Sequence, residues 1–115
     1  MAHTAHVLDW FREGAFRPES FDMDFEKQAK SVLAVTSLAE ARAWLSSATD
    51  ELANYIAGRS MEELLVPIAP GPVMGGVPRI GIISALGDHT AHHRGALTVY
   101  ARLLGLTPAM PYLEG

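Results

Sequence analysis

The residues of this chain that are best suited to metal binding or catalysis are its five histidines. They form two short clusters: His3 with His6, and His89 with His92 and His93. His89 and His93 are four positions apart, so on a helix their side chains lie one above the other on the same face. That spacing lets two imidazoles reach one metal ion. A hydrogen-bonded pair in the core would fit the same pattern, so both interpretations stay open. His92 points about 100° away from His93 and does not join the pair easily.

A third metal ligand has to come from another element, and the first cluster offers two candidates. His3 shares a helical stripe with Val7 and Trp10, and this stripe favours His3. His6 lies on an adjacent face and is the alternative ligand. His3 is also close to the start of the chain, so it can equally be a residue of a frayed terminus with no role. Three neutral imidazoles leave coordination positions open, which is typical of catalytic rather than structural sites. An ion in such a site lowers the pKa of bound water or thiol.

Several other polar residues are candidates for orienting the histidines or for acid–base chemistry. Tyr100 is the strongest, since it lies two turns beyond His93 on the same stripe. Arg94 follows His93 directly, and it is either a solvated side chain or a group that binds an anionic substrate. The remaining candidates, each of which can equally be an ordinary surface or core residue, are Asp9, Glu13, Asn54 and Asp88.

The composition limits the functions that are open to the chain. Cysteine is absent, which excludes disulfides, thiolate metal ligands and a cysteine nucleophile. The formal net charge of -4, from nine basic and thirteen acidic residues, argues against a nucleic-acid binder. No apolar run approaches the ~20 residues of a membrane span, and the N-terminus lacks the features of a signal peptide. We therefore expect a soluble cytoplasmic protein.

Capping residues and hydrophobic periodicity predict where the first helices lie. One helix runs from the N-terminus to about Phe11–Gly14. Ser37 and Glu40 match a capping box that begins the clearest helix, and Gly58 ends it. Ser60 begins a further short helix by the same logic.

Two segments are less regular in sequence. Residues 25–35 can be a short helix or an irregular connection, and the proline- and glycine-rich residues 67–78 predict a loop or a short hairpin.

The last helix is predicted to start at Pro78 and to end at Gly105. Its core-facing stripe carries both histidines: Ile82, Leu86, His89, His93, Ala96, Tyr100 and Leu103. These elements predict an all-α fold, an antiparallel bundle of three long helices and a few short ones, in a single domain over residues 1–115. Since sites between facing helices are usually built in four-helix bundles, we expect a fourth helix from an N-terminal segment or a partner subunit.

The two histidine segments resemble parts of the DinB/YfiT-like family. Residues 88–95, Asp-His-Thr-Ala-His-His-Arg-Gly, are similar to the family's last helix, and residues 3–11 resemble its second helix, in which a histidine precedes an aromatic pair. The similarity extends through residues further along the chain: Leu97, Tyr100, Leu103, Leu104, Gly105, Pro108 and Tyr112.

The resemblance implies a four-helix bundle with a metal ion on His3, His89 and His93. It also implies nickel, zinc, iron or manganese as the metal, and a homodimer as the assembly. The family's first helix has no counterpart here, so the chain is a fragment, has a misassigned start or is a shortened variant. Ala96 stands where relatives commonly have glutamine, so any role of that glutamine is not transferred.

Some relatives are transferases or isomerases that use low-molecular-weight thiols. The sequence therefore suggests a metal-dependent enzyme that transfers a thiol to a small electrophile. The alternative is a non-catalytic dimeric helical bundle with a structural or vestigial histidine cluster.

Overall fold

A computed structural model describes residues 1–110, which form five α-helices. They are α1 (Ala2–Gly14), α2 (Phe25–Leu33), α3 (Leu38–Ala57), α4 (Met61–Leu65) and α5 (Ile82–Leu103), with a 3₁₀ turn at Arg79–Gly81 just before α5. The all-α prediction is confirmed, and the three long predicted helices are α1, α3 and α5. The segment that the sequence left undecided forms α2.

Side-chain caps fix where the middle helices begin. At the start of α3 the Ser37 Oγ accepts from the Glu40 backbone N–H at 3.1 Å, and the Glu40 carboxylate accepts from the Ser37 N–H at 3.3 Å. Ser60 and Glu63 repeat the arrangement at α4. Each cap satisfies two backbone N–H groups that have no partner within the helix, so both predicted capping boxes are present.

Helix α1 lies at the centre of the fold and contacts α2, α3 and α5. Asp9 contacts Trp44 of α3, and further along both helices Arg12 contacts Glu51. The order of these contacts shows that α3 runs in the same direction as α1. The antiparallel orientation predicted from the sequence therefore does not hold for this pair, because the segment between them, which includes α2, returns the chain to the beginning of α1.

Helices α2 and α5 both run antiparallel to α1. Trp10 lies near the first residue of α2, Phe25, whereas His6 contacts Gln28 further along that helix. Along α5, His3 contacts His89, while Arg79 just before the helix donates to the Ala15 carbonyl oxygen at the other end of α1. The first turn of α1 is thereby placed against the middle of α5.

The buried core lies between α1, α3 and the first half of α5. Its central side chains are Ala5, Val7 and Leu8 of α1, Ala48 of α3, and Ile82 and Leu86 of α5. Ile68 extends this core into the loop before α5, where its backbone bonds to Val77 and Gly76 close a hairpin-like turn. That loop confirms the short hairpin considered for residues 67–78.

The second half of α5 departs from the predicted core-facing stripe. Ile82 and Leu86 are buried, but Ala96 is exposed, and Tyr100 and Leu103 are 65% and 77% exposed. The prediction was wrong for this half because α1 crosses α5 at the histidines, and no described helix covers α5 beyond them. None of the described helices is long and apolar enough to cross a membrane.

Candidate metal centre

The centre is built where the first turn of α1 meets the middle of α5. His3 comes from α1, and His89 and His93 come from consecutive turns of α5. Ala5 and Leu86 are buried next to them in sequence, at 0% and 4% exposure, and they anchor the two helices at this crossing. The crossing of α1 over α5 at this point brings the three histidines together, and the predicted stripes agree with that arrangement.

The three imidazoles present the same nitrogen to one point. His89 Nε2 lies 3.2 Å from His3 Nε2 and 3.1 Å from His93 Nε2, and one ligand atom from each residue falls within 4.8 Å of the other two. Two nitrogens that bind zinc at 2.0–2.1 Å with tetrahedral angles are roughly 3.4 Å apart. The two separations from His89 are slightly shorter than this value, and they are close enough for the three nitrogens to share one ion.

Hydrogen bonds alone do not satisfy this cluster. The Nε2 atom of a neutral imidazole is either a donor or an acceptor, yet His89 Nε2 has a nitrogen neighbour on each side. If it carries a proton it donates to only one of them, and if it does not, its single lone pair faces both. An ion that takes the lone pairs of all three atoms removes the conflict, so the donor set fits a metal.

The surroundings of His3 and of His89 favour the neutral form of these two imidazoles. Burial is the main cause that lowers the pKa of His3 below its usual 6.5, followed by the neighbouring His89 and His93. Burial also lowers the pKa of His89, with His93 and His92 adding to the effect and Asp88 opposing it. Neutral imidazole is the form that binds metal, so His3 and His89 favour the protonation state in which they can act as ligands.

The opposite edge of His89 is unusual. Its Nδ1 atom is buried, and no hydrogen-bond partner for it lies within residues 1–110. When His89 offers the Nε2 lone pair to an ion, Nδ1 carries the proton, and in most metal sites such an N–H is bonded to a carboxylate or carbonyl. Asp88 influences His89 only through its charge.

His6, the alternative third ligand, lies elsewhere. Its Nε2 atom is 3.3 Å from Gln28 Oε1, and its ring packs edge-on against Trp44 at 6.1 Å between centroids. The structure therefore places His3 and not His6 beside His89. His92 is exposed, and its ring contacts that of His93 at 5.1 Å.

The other candidate residues have different surroundings. Asp9 accepts from the Trp44 Nε1–H at 2.7 Å and pairs with Arg12 at 3.2 Å, while Glu13 pairs with Arg17. The Asp9–Trp44 bond joins α1 to α3, whereas the Glu13–Arg17 pair lies exposed at the end of α1. Asn54, Asp88, Arg94 and Tyr100 are all exposed.

A network that the sequence did not reveal lies beside the cluster. The Asp22 carbonyl oxygen accepts from Trp10 Nε1–H at 2.7 Å and from the Gln28 side-chain amide at 2.6 Å. Through its Gln28 contact, His6 belongs to this network. No periodicity signals such a bond, because its acceptor is a backbone atom in an irregular segment.

The fold and the histidine cluster together define a class, the helical bundles with a three-histidine site. The DinB family model matches residues 1–115, and the chain belongs to this family. No curated protein and no solved structure matches the chain. Among the residues that carried the resemblance, Tyr112 lies outside the described part.

Proposed function

We propose that this protein binds one divalent transition-metal ion through His3, His89 and His93. We further propose that it is a metal-dependent transferase acting with a low-molecular-weight thiol on a small electrophile. The observation that carries the proposal is the convergence of three Nε2 atoms, two pairs of which are 3.1 and 3.2 Å apart. Imidazole ligands suit zinc, nickel and iron better than manganese, which prefers oxygen.

The proposed site has one side that faces the interior of the protein and one side that faces solvent. The bound ion would supply a Lewis acid that favours the thiolate form of a thiol. Thr4 follows His3 in the chain and Leu86 lies one turn before His89, and both are buried, at 8% and 4% exposure; we propose that this is the dry side of the cluster. His3 is exposed and leaves the outer side accessible to a small thiol and its electrophile.

Metal content tests the ligand set directly. We expect about one transition-metal ion per wild-type chain, measured by inductively coupled plasma mass spectrometry on untagged protein incubated with nickel, zinc or iron. The His89→Ala/His93→Ala variant should lose it, because a single imidazole does not hold the ion. The matched control, His6→Ala/His92→Ala, removes the same number of histidines outside the cluster and should keep it. Stoichiometric metal in the first variant, or loss in the control, would contradict the assignment.

Turnover then tests the proposed reaction. Loaded wild-type protein should speed the consumption of a small epoxide or aryl halide by a low-molecular-weight thiol, and the His89→Ala/His93→Ala variant should not. A fully loaded site without turnover across a panel of thiols would favour the alternative, a non-catalytic bundle with a structural or vestigial cluster.

We also propose a homodimer, supported by the exposed apolar side chains on the second half of α5. The cytoplasm is the compartment that we propose for the activity, because thiols are kept reduced there.

A further inference from the structure

An apolar groove of about 380 Å³ separates α1 from α2 and reaches His3. Its α1 wall includes Val7 and Trp10, and its α2 wall includes Phe25, Ala29 and Val32. His3 belongs both to this groove and to the histidine cluster. The volume falls within the ~300–1,000 Å³ of small-molecule sites.

The polar groups along the groove are already bonded to one another. His6 Nε2 contacts Gln28 Oε1 at 3.3 Å, and the Gln28 amide and Trp10 Nε1 donate to the Asp22 carbonyl oxygen. Breaking these bonds for a polar ligand would leave partly buried groups unpaired, which is costly. The surface that remains for a ligand is therefore apolar, except at the His3 end.

We propose that this groove binds the apolar chain or aryl group of a substrate whose polar head binds at the histidine cluster. The proposal rests on the proposed metal centre and names the class of its substrate: a small amphipathic molecule with its reactive head next to an unbranched or flat apolar tail. Burial of that tail would provide affinity and orient the head.

A second copy of the chain is the competing occupant of the groove. A partner helix lying there would cover His3 and close the exposed side of the cluster. A small molecule, in contrast, can contact the apolar walls of the groove and the exposed side of the histidine cluster at the same time, because His3 belongs to both.

A series of alkyl hydroxamates tests the groove, because the hydroxamate head binds metal ions and the chain length varies alone. Acetohydroxamate, butanohydroxamate, hexanohydroxamate and octanohydroxamate are titrated into loaded and metal-free protein, and binding is measured by calorimetry. We expect affinity to rise roughly two- to fourfold for each added methylene until the groove is full. A flat series in both states would overturn the proposal.

Three variants locate the effect. Ala29→Trp fills the groove and should abolish the dependence on chain length, whereas Ala43→Trp, at an exposed alanine of α3, should behave as wild type. Val32→Thr keeps the shape of the wall but adds a hydroxyl, so it should reduce the dependence. An unchanged dependence in Ala29→Trp would place the tail elsewhere and overturn the proposal.

The two proposals fail in different ways. The dependence on chain length, in either state, measures the groove, whereas the gain in acetohydroxamate affinity on loading measures the metal centre. Sedimentation velocity on the same variants tests whether a second copy of the chain occupies the groove instead. A wild-type dimer that Ala29→Trp dissociates, with Ala43→Trp unaffected, would assign the groove to a second copy and overturn the substrate proposal.

Discussion

At the scale of single residues, the histidine cluster combines partial burial with mutual repulsion. A proton on one imidazole raises the free energy of a proton on its neighbours, because like charges a few ångströms apart repel. Both effects lower the pKa of His3 and of His89. These two histidines therefore bind protons more weakly in the folded chain than in the unfolded chain. This difference makes the stability of the metal-free chain depend on pH.

We predict that the metal-free protein loses stability as the pH falls through about 6.5. In the unfolded chain His3 and His89 take up protons near their usual pKa, while in the folded chain they stay neutral to lower pH. The unfolded state then binds more protons, so the free energy of unfolding decreases until the pH falls below the lowered pKa values, where the loss levels off. Urea denaturation at several pH values in the presence of a chelator measures this.

The control for that prediction is the His3→Gln/His89→Gln variant, which keeps two polar side chains but removes their titration. Its free energy of unfolding should fall less steeply between about pH 7.5 and 5.5. Identical slopes for the two proteins would show that other groups cause the pH dependence.

At the scale of the helices, the start of α3 is fixed by a local pair that needs no tertiary contact. Ser37, Glu40 and Leu38 at the first turn are all exposed, so neither the cap nor its neighbours rely on burial. Local signals of this kind are readable from sequence, which is why the bounds of α3 agree with the prediction.

We predict that Ser37→Ala lowers the free energy of unfolding by about 1 kcal/mol, because the Glu40 N–H loses its acceptor. Thermal or urea denaturation followed by circular dichroism measures the change. Ser46→Ala is the matched control, since Ser46 is exposed within the same helix. There the same substitution should be neutral or stabilising by a few tenths of a kcal/mol, since alanine has the higher helix propensity. Equal losses at both positions would contradict a role for the cap.

At the scale of the whole molecule, apolar surface is distributed unevenly. Around α1 the core is closed by α3 and the first half of α5. Beyond the histidines, by contrast, six exposed apolar residues of α5 and the following turn lie within ten positions of the sequence: Leu97, Val99, Tyr100, Leu103, Leu104 and Leu106. Exposed apolar patches of this kind often mark protein–protein contacts.

We predict that the protein is a dimer at micromolar concentration and that Leu103→Glu shifts it toward the monomer. The charge would have to be buried without a partner in an interface built on this face. Sedimentation velocity measures the shift. Met61→Glu, at a residue of α4 that is 60% exposed, should leave the dimer intact. A monomeric wild-type protein would contradict the predicted dimer, and equal effects of both variants would place the dimer contact elsewhere.

The sequence by itself determined the helices other than α2, and it determined which of them carry histidines. Capping boxes at Ser37 and Ser60, the glycine at position 105 with its positive φ, and the repeat of apolar residues every three or four positions are local signals. The i, i+4 spacing placed His89 and His93 together, because helical geometry alone fixes that relation.

Only the tertiary structure decided which parts of the chain meet. It brought His3 rather than His6 to His89, set α3 parallel to α1, and left Tyr100 and Leu103 exposed. These outcomes depend on how the irregular residues between α1 and α3 return the chain and on where two helices cross. Such contacts join residues far apart in sequence, so no periodicity within one segment determines them.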